Sequence, residues 1–234
     1  RQRQMCIRDR YKLTNIVTIK NKKTLNTVII IPARIDSSRL KKKLLRNISG
    51  LPMIVRVAQN AENLKMGRVI VGTDSREIYN ECEKNNLEAM MTKSSHKSGT
   101  DRVYEVYKIL NKDFDLIINL QGDLPIFKKD LLEKTTKLFS DDSVDIGSAV
   151  CDLEDSEIND NNIVKARVVL DDYNEGFALD FMRTVDCTKN IYHHIGVYIY
   201  KPNVLKEFVS LLQSKREKER NLEQMRAMDN NYKI

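Results

Sequence analysis

Val28-Ile29-Ile30-Ile31-Pro32-Ala33-Arg34 runs straight into a cluster of hydroxyls and cations, Ser37-Ser38-Arg39 and Lys41-Lys42-Lys43. An apolar, β-branched run of this length bounded by proline reads as a strand covered on both faces of a parallel sheet. In such sheets ligands sit in the crevice outside the carboxyl ends of the strands. The cations and hydroxyls released at that end call for an anionic partner, and a polyphosphate fits. Taken alone, the charge run reads equally as a solvated basic loop. Two further loops shift the balance.

The first is His96-Lys97-Ser98-Gly99-Thr100-Asp101-Arg102, between a short strand (Ala89-Met90-Met91) and a helical pattern, Val103, Val106, Tyr107 and Leu110. Ser98 or Thr100 can cap that helix, and Gly99 allows close backbone approach, which together make an anion site from main-chain N–H groups. The second is Gln121-Gly122-Asp123-Leu124-Pro125, directly after the strand Leu116–Leu120. A carboxylate at a strand's carboxyl end suits a magnesium ion bridging substrate phosphates, while its plainer reading is a turn-forming aspartate.

Outward from these loops the order is alternating. Strands are expected at 27–32, 68–72, 89–91, 116–120 and 146–150, and helices near 52–64, 75–85, 100–110 and 128–139. That alternation predicts an α/β fold, a mainly parallel sheet flanked by helices. After about residue 155 the strands lengthen (163–170, 177–182, 191–200), with Gly176 after Asp171-Asp172 marking a hairpin, and helices follow at 203–213 and 217–229. Alternation along the last strand puts His194, Gly196 and Tyr198 on one face, opposite Ile195, Val197 and Ile199. Residues 1–26 are polar and basic without a start methionine, and Arg3–Arg10 has the look of translated adapter sequence. They are set apart as a non-domain segment, the alternative being a basic tail for an acidic partner; the domain is expected over 27–234.

Composition narrows the class. The 234-residue chain is 31% charged with a formal net charge of +7, which favours acidic ligands or nucleic acid. Nucleic-acid binding calls for exposed aromatic stacking platforms among the cations. Aromatics make up only 6%, without tryptophan, so a nucleic-acid module is disfavoured. Cys6, Cys82, Cys151 and Cys187 lack paired spacing and read as reduced cytosolic thiols. Three histidines argue against a histidine metal cluster, and no apolar stretch approaches the ~20 residues of a membrane helix.

These loops, in unbroken order over about 27–234, resemble the 3-deoxy-manno-octulosonate (Kdo) cytidylyltransferases. The resemblance runs through Ile30–Arg34, Ser37–Leu40, Gly50–Ile54, Val71–Asp74, Met91-Thr92, His96–Arg102, Gln121–Asp123, Asn162–Lys165, Ala178–Arg183, His194–Tyr198 and Leu222–Arg226. It implies a glycosyltransferase-A-like nucleotidyltransferase fold with a β-rich dimerisation extension at about 155–202. It also implies transfer of CMP from CTP to Kdo for lipopolysaccharide biosynthesis, in a cytoplasmic homodimer. By the same resemblance Ala33, Arg34, Ser38, Arg39, Lys43, Ser98, Gly99 and Thr100 face CTP, with Lys43, Arg39 and Asp123 at the reacting phosphates and Asp123 holding Mg2+. Gln121, Arg183, His194, Tyr198 and Glu223 correspond to the sugar-acid side. A sibling enzyme for sialic acid or an 8-amino analogue is the alternative.

The chain departs from the family pattern at four places. Lys41-Lys42-Lys43-Leu44 stands where the family has Pro-Gly-Lys-Pro, Leu124 replaces an acidic residue, and Arg220 stands where a glutamate is expected. The chain also stops at Ile234, before the family's second metal-ligating aspartate, so weak or absent turnover is the corresponding expectation.

Overall fold

The structure, a computed structural model, describes residues 25–35, 40–185 and 187–234. Residues 1–24 therefore lie outside it, as do Ser37, Ser38 and Arg39.

Four strands form the parallel part of the sheet: β1 (Thr27–Ala33), β4 (Arg68–Thr73), β5 (Ala89–Met91) and β6 (Leu116–Leu120), in the order β5-β4-β1-β6. β1 is central and buried throughout, as its unbroken apolar run requires. Its side chains alternate between two cores. Ile29 and Ile31 join the side packed by α1 (Met53–Asn63), α2 (Arg76–Lys84) and α4 (Lys129–Lys137). Val28 and Ile30 join the side packed by α3 (Gly99–Leu110) and α5 (Pro202–Ser210). A small hairpin not expected from the sequence, β2 (Asn47–Ile48) and β3 (Leu51–Pro52), turns through Ser49 and Gly50 at positive φ.

The remaining strands are antiparallel. β10 (Ile191–Tyr200) carries its second half alongside β6 and its first half alongside β8 (Lys165–Val168), while β7 (Ile146–Cys151) runs along its other edge. β9 (Ala178–Met182) closes the sheet beyond β8. The β-rich extension is thus continuous with the main sheet through one long strand. The hairpin between β8 and β9 turns where Asp171 Oδ1 accepts from the Tyr173 and Glu175 N–H groups. A Cβ on Gly176 would stand 2.3 Å from the Val169 carbonyl oxygen, which explains the glycine there.

The expected helix over 217–229 is two helices, α6 (Lys215–Arg220) and α7 (Gln224–Asp229). Asn221 breaks them apart by adopting a left-handed conformation at φ 52°, one of the few routine options for asparagine. Arg220, at the charge-reversed position, donates to Asp180 Oδ1 (2.6 Å) and the Phe181 carbonyl (2.7 Å), fixing this elbow to β9.

Candidate active site

The three loops converge. A cleft of about 600 Å³ opens at the carboxyl ends of β1, β5 and β6, walled by Pro32 and Arg34, by Leu40, Lys43 and Leu44, by the loop from His96 to Gly99, by Gln121, Gly122 and Asp123, and by Arg102 and Asn162. Lys43 Nζ lies 2.6 Å from Asp123 Oδ2, so the basic loop after β1 and the carboxylate after β6 share one rim. Gly122 lets the walls close: a Cβ there would meet the Pro32 carbonyl oxygen and Ile54 at 3.3 Å.

Lys42 stands where the resemblance expects glycine, and its backbone takes a conformation that glycine adopts readily. It sits at φ 52°, in the left-handed region, at a strain of about 1 kcal/mol. Its ammonium pairs with both carboxylate oxygens of Glu77 on α2 (2.8 and 2.7 Å), which turns it away from Lys43 and the cleft.

Ser98 caps α3, accepting from the Asp101 N–H while Asp101 accepts from the Ser98 N–H. Ser98 and Gly99 line the cleft. Thr100 and Ala33 do not: Thr100 is 1% exposed and Ala33 is fully buried in the core beneath β1. Thr100 Oγ1 donates to Glu223 Oε2 (2.8 Å) and accepts from the Asn119 amide (3.4 Å), so it joins the first turn of α3 to β6 and the start of α7. Burial pushes the Glu223 carboxyl above its usual range, against the hydrogen bonds that support its charge. We expect Thr100→Val to cost about 1–3 kcal/mol in urea unfolding, because the carboxylate loses its hydroxyl donor.

Arg102 was not expected at the site. It lines the cleft with its guanidinium held by Asp74 Oδ2 (2.7 Å) and Thr92 Oγ1, both at the ends of neighbouring strands. The signal for it was present in Thr73-Asp74 at the end of β4, facing the first turn of a capped helix.

Of the residues expected on the sugar-acid side, Gln121 lines the cleft. β10 passes directly behind it, where a Cβ on Gly196 would reach within 3.2 Å of Gln121 Cγ. Arg183 donates to the carbonyls of Asn161 (2.9 Å), Asn162 (3.4 Å) and Asn221 (3.4 Å). Tyr198 lies between His194 and Tyr200 with the rings tilted to one another (centroids 5.4 and 6.3 Å), and burial raises its phenol well above the ordinary range.

His194 is enclosed. Phe181 meets its ring edge-on at 5.0 Å, and Nε2 lies 2.8 Å from Ser148 Oγ. The Ser148 hydroxyl donates to the Val197 carbonyl, which leaves its oxygen to accept from an Nε2 hydrogen, and burial favours the neutral ring. Alternation gave the face correctly; closure of that face by Phe181 from β9 was not visible in the sequence.

Burial holds the His194 pKa down to about 3, below its ordinary 6.5, with His193 nearby acting in the same direction. The unfolded chain therefore takes up the proton first, and stability falls as pH drops from 6.5 toward 3. Between pH 7 and pH 5 this group should remove about 2 kcal/mol of unfolding free energy. Urea titrations at the two pH values measure it, and His194→Phe should flatten the difference.

A parallel-centred α/β sheet with a cationic cleft and a carboxylate at the strand ends is what a nucleotidyltransferase requires, and the sequence relatives place the chain in that class. The model of the family described as Cytidylyltransferase matches residues 28–234. Curated relatives named 3-deoxy-manno-octulosonate cytidylyltransferase occur in Bartonella bacilliformis, 39% identical over 90% of this chain and 89% of that protein, and in Nitrobacter hamburgensis, 39% identical over 89% and 83%. Among solved structures, CMP:2-keto-3-deoxy-manno-octonic acid synthetase complexed with CTP superposes with a TM-score of 0.78 at 32% identity, covering 89% of this chain and 88% of that one. A cytidylyltransferase from Leptospira borgpetersenii shares the fold at 14% identity and a TM-score of 0.57, covering 89% of this chain and 74% of that one. The chain belongs to the cytidylyltransferase family, in the branch of these 3-deoxy-manno-octulosonate enzymes.

Proposed function

We propose that this chain transfers CMP from CTP to the anomeric hydroxyl of 3-deoxy-manno-octulosonate, releasing pyrophosphate and supplying an activated acidic sugar for lipopolysaccharide assembly. The observation that carries the reading is the Lys43–Asp123 contact across the cleft, where a cation and a carboxylate face each other at converging strand ends. Names of relatives at 36–39% identity support the nucleotide and the sugar.

In this reaction the sugar hydroxyl releases its proton to solvent as its oxygen bonds to the α-phosphorus, the bond from that phosphorus to the α,β-bridging oxygen breaks, and pyrophosphate departs with the electron pair. Positioning and charge neutralisation supply most of the catalysis. Arg34 and Lys43 would hold the triphosphate, Lys43 as a point charge. Ser98 and Gly99, at the capped start of α3, would offer hydroxyl and main-chain groups to the nucleotide. Gln121 and Asn162 in the cleft wall would orient the sugar acid, with Arg183 bonded to the backbone behind Asn162.

The donor set fits magnesium. Such an ion takes one or two carboxylates and completes its shell with phosphate oxygens and water. Asp123 is the carboxylate at this rim, with 47% of its side chain exposed, and among the described residues no three His, Cys, Asp or Glu side chains cluster as an all-protein cage. When bound, the ion would neutralise charge developing on the phosphates. A cytoplasmic homodimer completes the proposal. Among the described residues no helix is long and apolar enough to cross a membrane. Val169, Tyr173, Phe177 and Leu179 expose apolar surface on and beside the outer hairpin, as a second copy would cover.

The test is pyrophosphate release from CTP and magnesium with Kdo, sialic acid and an 8-amino analogue of Kdo in parallel. Release with Kdo at least tenfold faster than with the others is expected. Release only with another sugar would reassign the acceptor, and saturable binding of random DNA without CTP turnover would contradict the reading.

A further inference from the structure

Lys165 lies on β8 between β9 and β10 and is fully buried. A buried ammonium is costly, and an apolar chain of the same length would fill the space more cheaply. What the ammonium adds is direction: Nζ donates to the Asp160 carbonyl (2.6 Å) and to the Arg183 carbonyl (2.8 Å). Those carbonyls belong to two segments flanking the β8–β9 pair. One is the turn before β8, which carries Asn162 into the cleft wall. The other is the chain leaving β9. Arg183 then crosses back, its guanidinium donating to the carbonyls of Asn161 and Asn162. Lys165 and Arg183 thus make reciprocal bonds between the same two segments, one from inside the sheet and one from its rim. His193 on β10, opposite Lys165 on β8, holds the preceding stretch through Glu157 (2.9 Å).

We infer that Lys165 is a positioning residue that, together with Arg183, fixes Asn162 at the acceptor end of the cleft without touching substrate. Burial lowers its ammonium pKa while Asp160 and Glu157 support its charge, in keeping with a cation retained for its bonds. The inference rests on the sugar-acid side assigned above. Its structural half, the clamp, stands on the hydrogen bonds alone.

The test is Lys165→Met, which keeps the volume and removes the donors, read in two ways. Amide hydrogen exchange on the ligand-free protein should quicken about tenfold or more at 159–163 and 183–185, with β1, β4 and β6 unchanged. Steady-state kinetics should show the KM for the acceptor sugar rising about tenfold or more, with the KM for CTP within about twofold, since small misplacements at a reacting centre carry such factors. Asn162→Ala, which leaves the clamp in place, should raise the same acceptor KM even if K165M does not fold. Unchanged exchange in both segments overturns the clamp whichever sugar is the substrate. Loss of active fraction with both KM values unchanged in K165M, or an unchanged acceptor KM in N162A, overturns the positioning role. If the wild type turns over none of the three sugars, the proposed activity fails, and the exchange result still decides the clamp.

Discussion

Asp123→Asn should lower kcat for pyrophosphate release about a thousandfold while the protein stays folded. The substitution keeps shape and polarity but removes the negative charge that would hold the metal, and a metal supplies several kcal/mol of charge stabilisation at a phosphoryl centre. At 1.36 kcal/mol per factor of ten, about 4 kcal/mol gives that loss. Stability should barely respond. Asp123 and Lys43 keep 47% and 36% of their side chains exposed, and such surface pairs contribute about 0–1 kcal/mol. A stopped pyrophosphate assay together with a thermal melt separates the effects: large loss of rate, a melting shift of a few degrees at most. Comparable loss of both would assign Asp123 to the fold instead.

Lys43→Met should reduce kcat/KM for CTP by about a hundredfold, the scale seen when one preorganised donor to developing charge is removed. Part of the fall should appear in the KM, because a cation that grips the ground-state triphosphate contributes to binding as well as to rate. Lys43→Arg keeps the charge and should recover part of the loss. It should not recover all of it, since a planar fork and a compact ammonium place their donors differently. The ammonium faces Asp123 here, so CTP must draw it from one carboxylate oxygen toward more heavily charged phosphates. Steady-state kinetics over a range of CTP concentrations, with ionic strength held constant, would measure both effects.

The parallel core was legible because β1, β4 and β6 are apolar on both faces, a pattern few other environments tolerate. The anion-facing start of α3 was legible from Ser98 and Asp101, whose reciprocal cap is local chemistry. Lys43 and Asp123 could be paired in advance because both follow strong strands whose neighbours were evident. The break at Asn221 was not legible: Leu222 and Met225 continue the apolar spacing across it, and only the backbone of Asn221 departs. The two-residue strands of the β2–β3 hairpin are too short to carry a period. Thr100 reads as a cleft residue in sequence because its partner, Glu223, is 123 positions away, and only packing reveals that the hydroxyl points inward. His194 fell on the expected face of β10, but Phe181 on β9 closes that face, a tertiary event with no local signal. Arg39 and Ser38 lie outside the described residues, so their part in holding CTP rests on the resemblance and not on geometry.

A crystal of the protein with CTP and manganese, read by anomalous scattering, tests the cleft directly. A manganese peak is expected within coordination distance of an Asp123 carboxylate oxygen, with the triphosphate running past Lys43 and Arg34. A triphosphate bound outside this cleft, or a metal held by other groups with Asp123 still paired to Lys43, would contradict that arrangement.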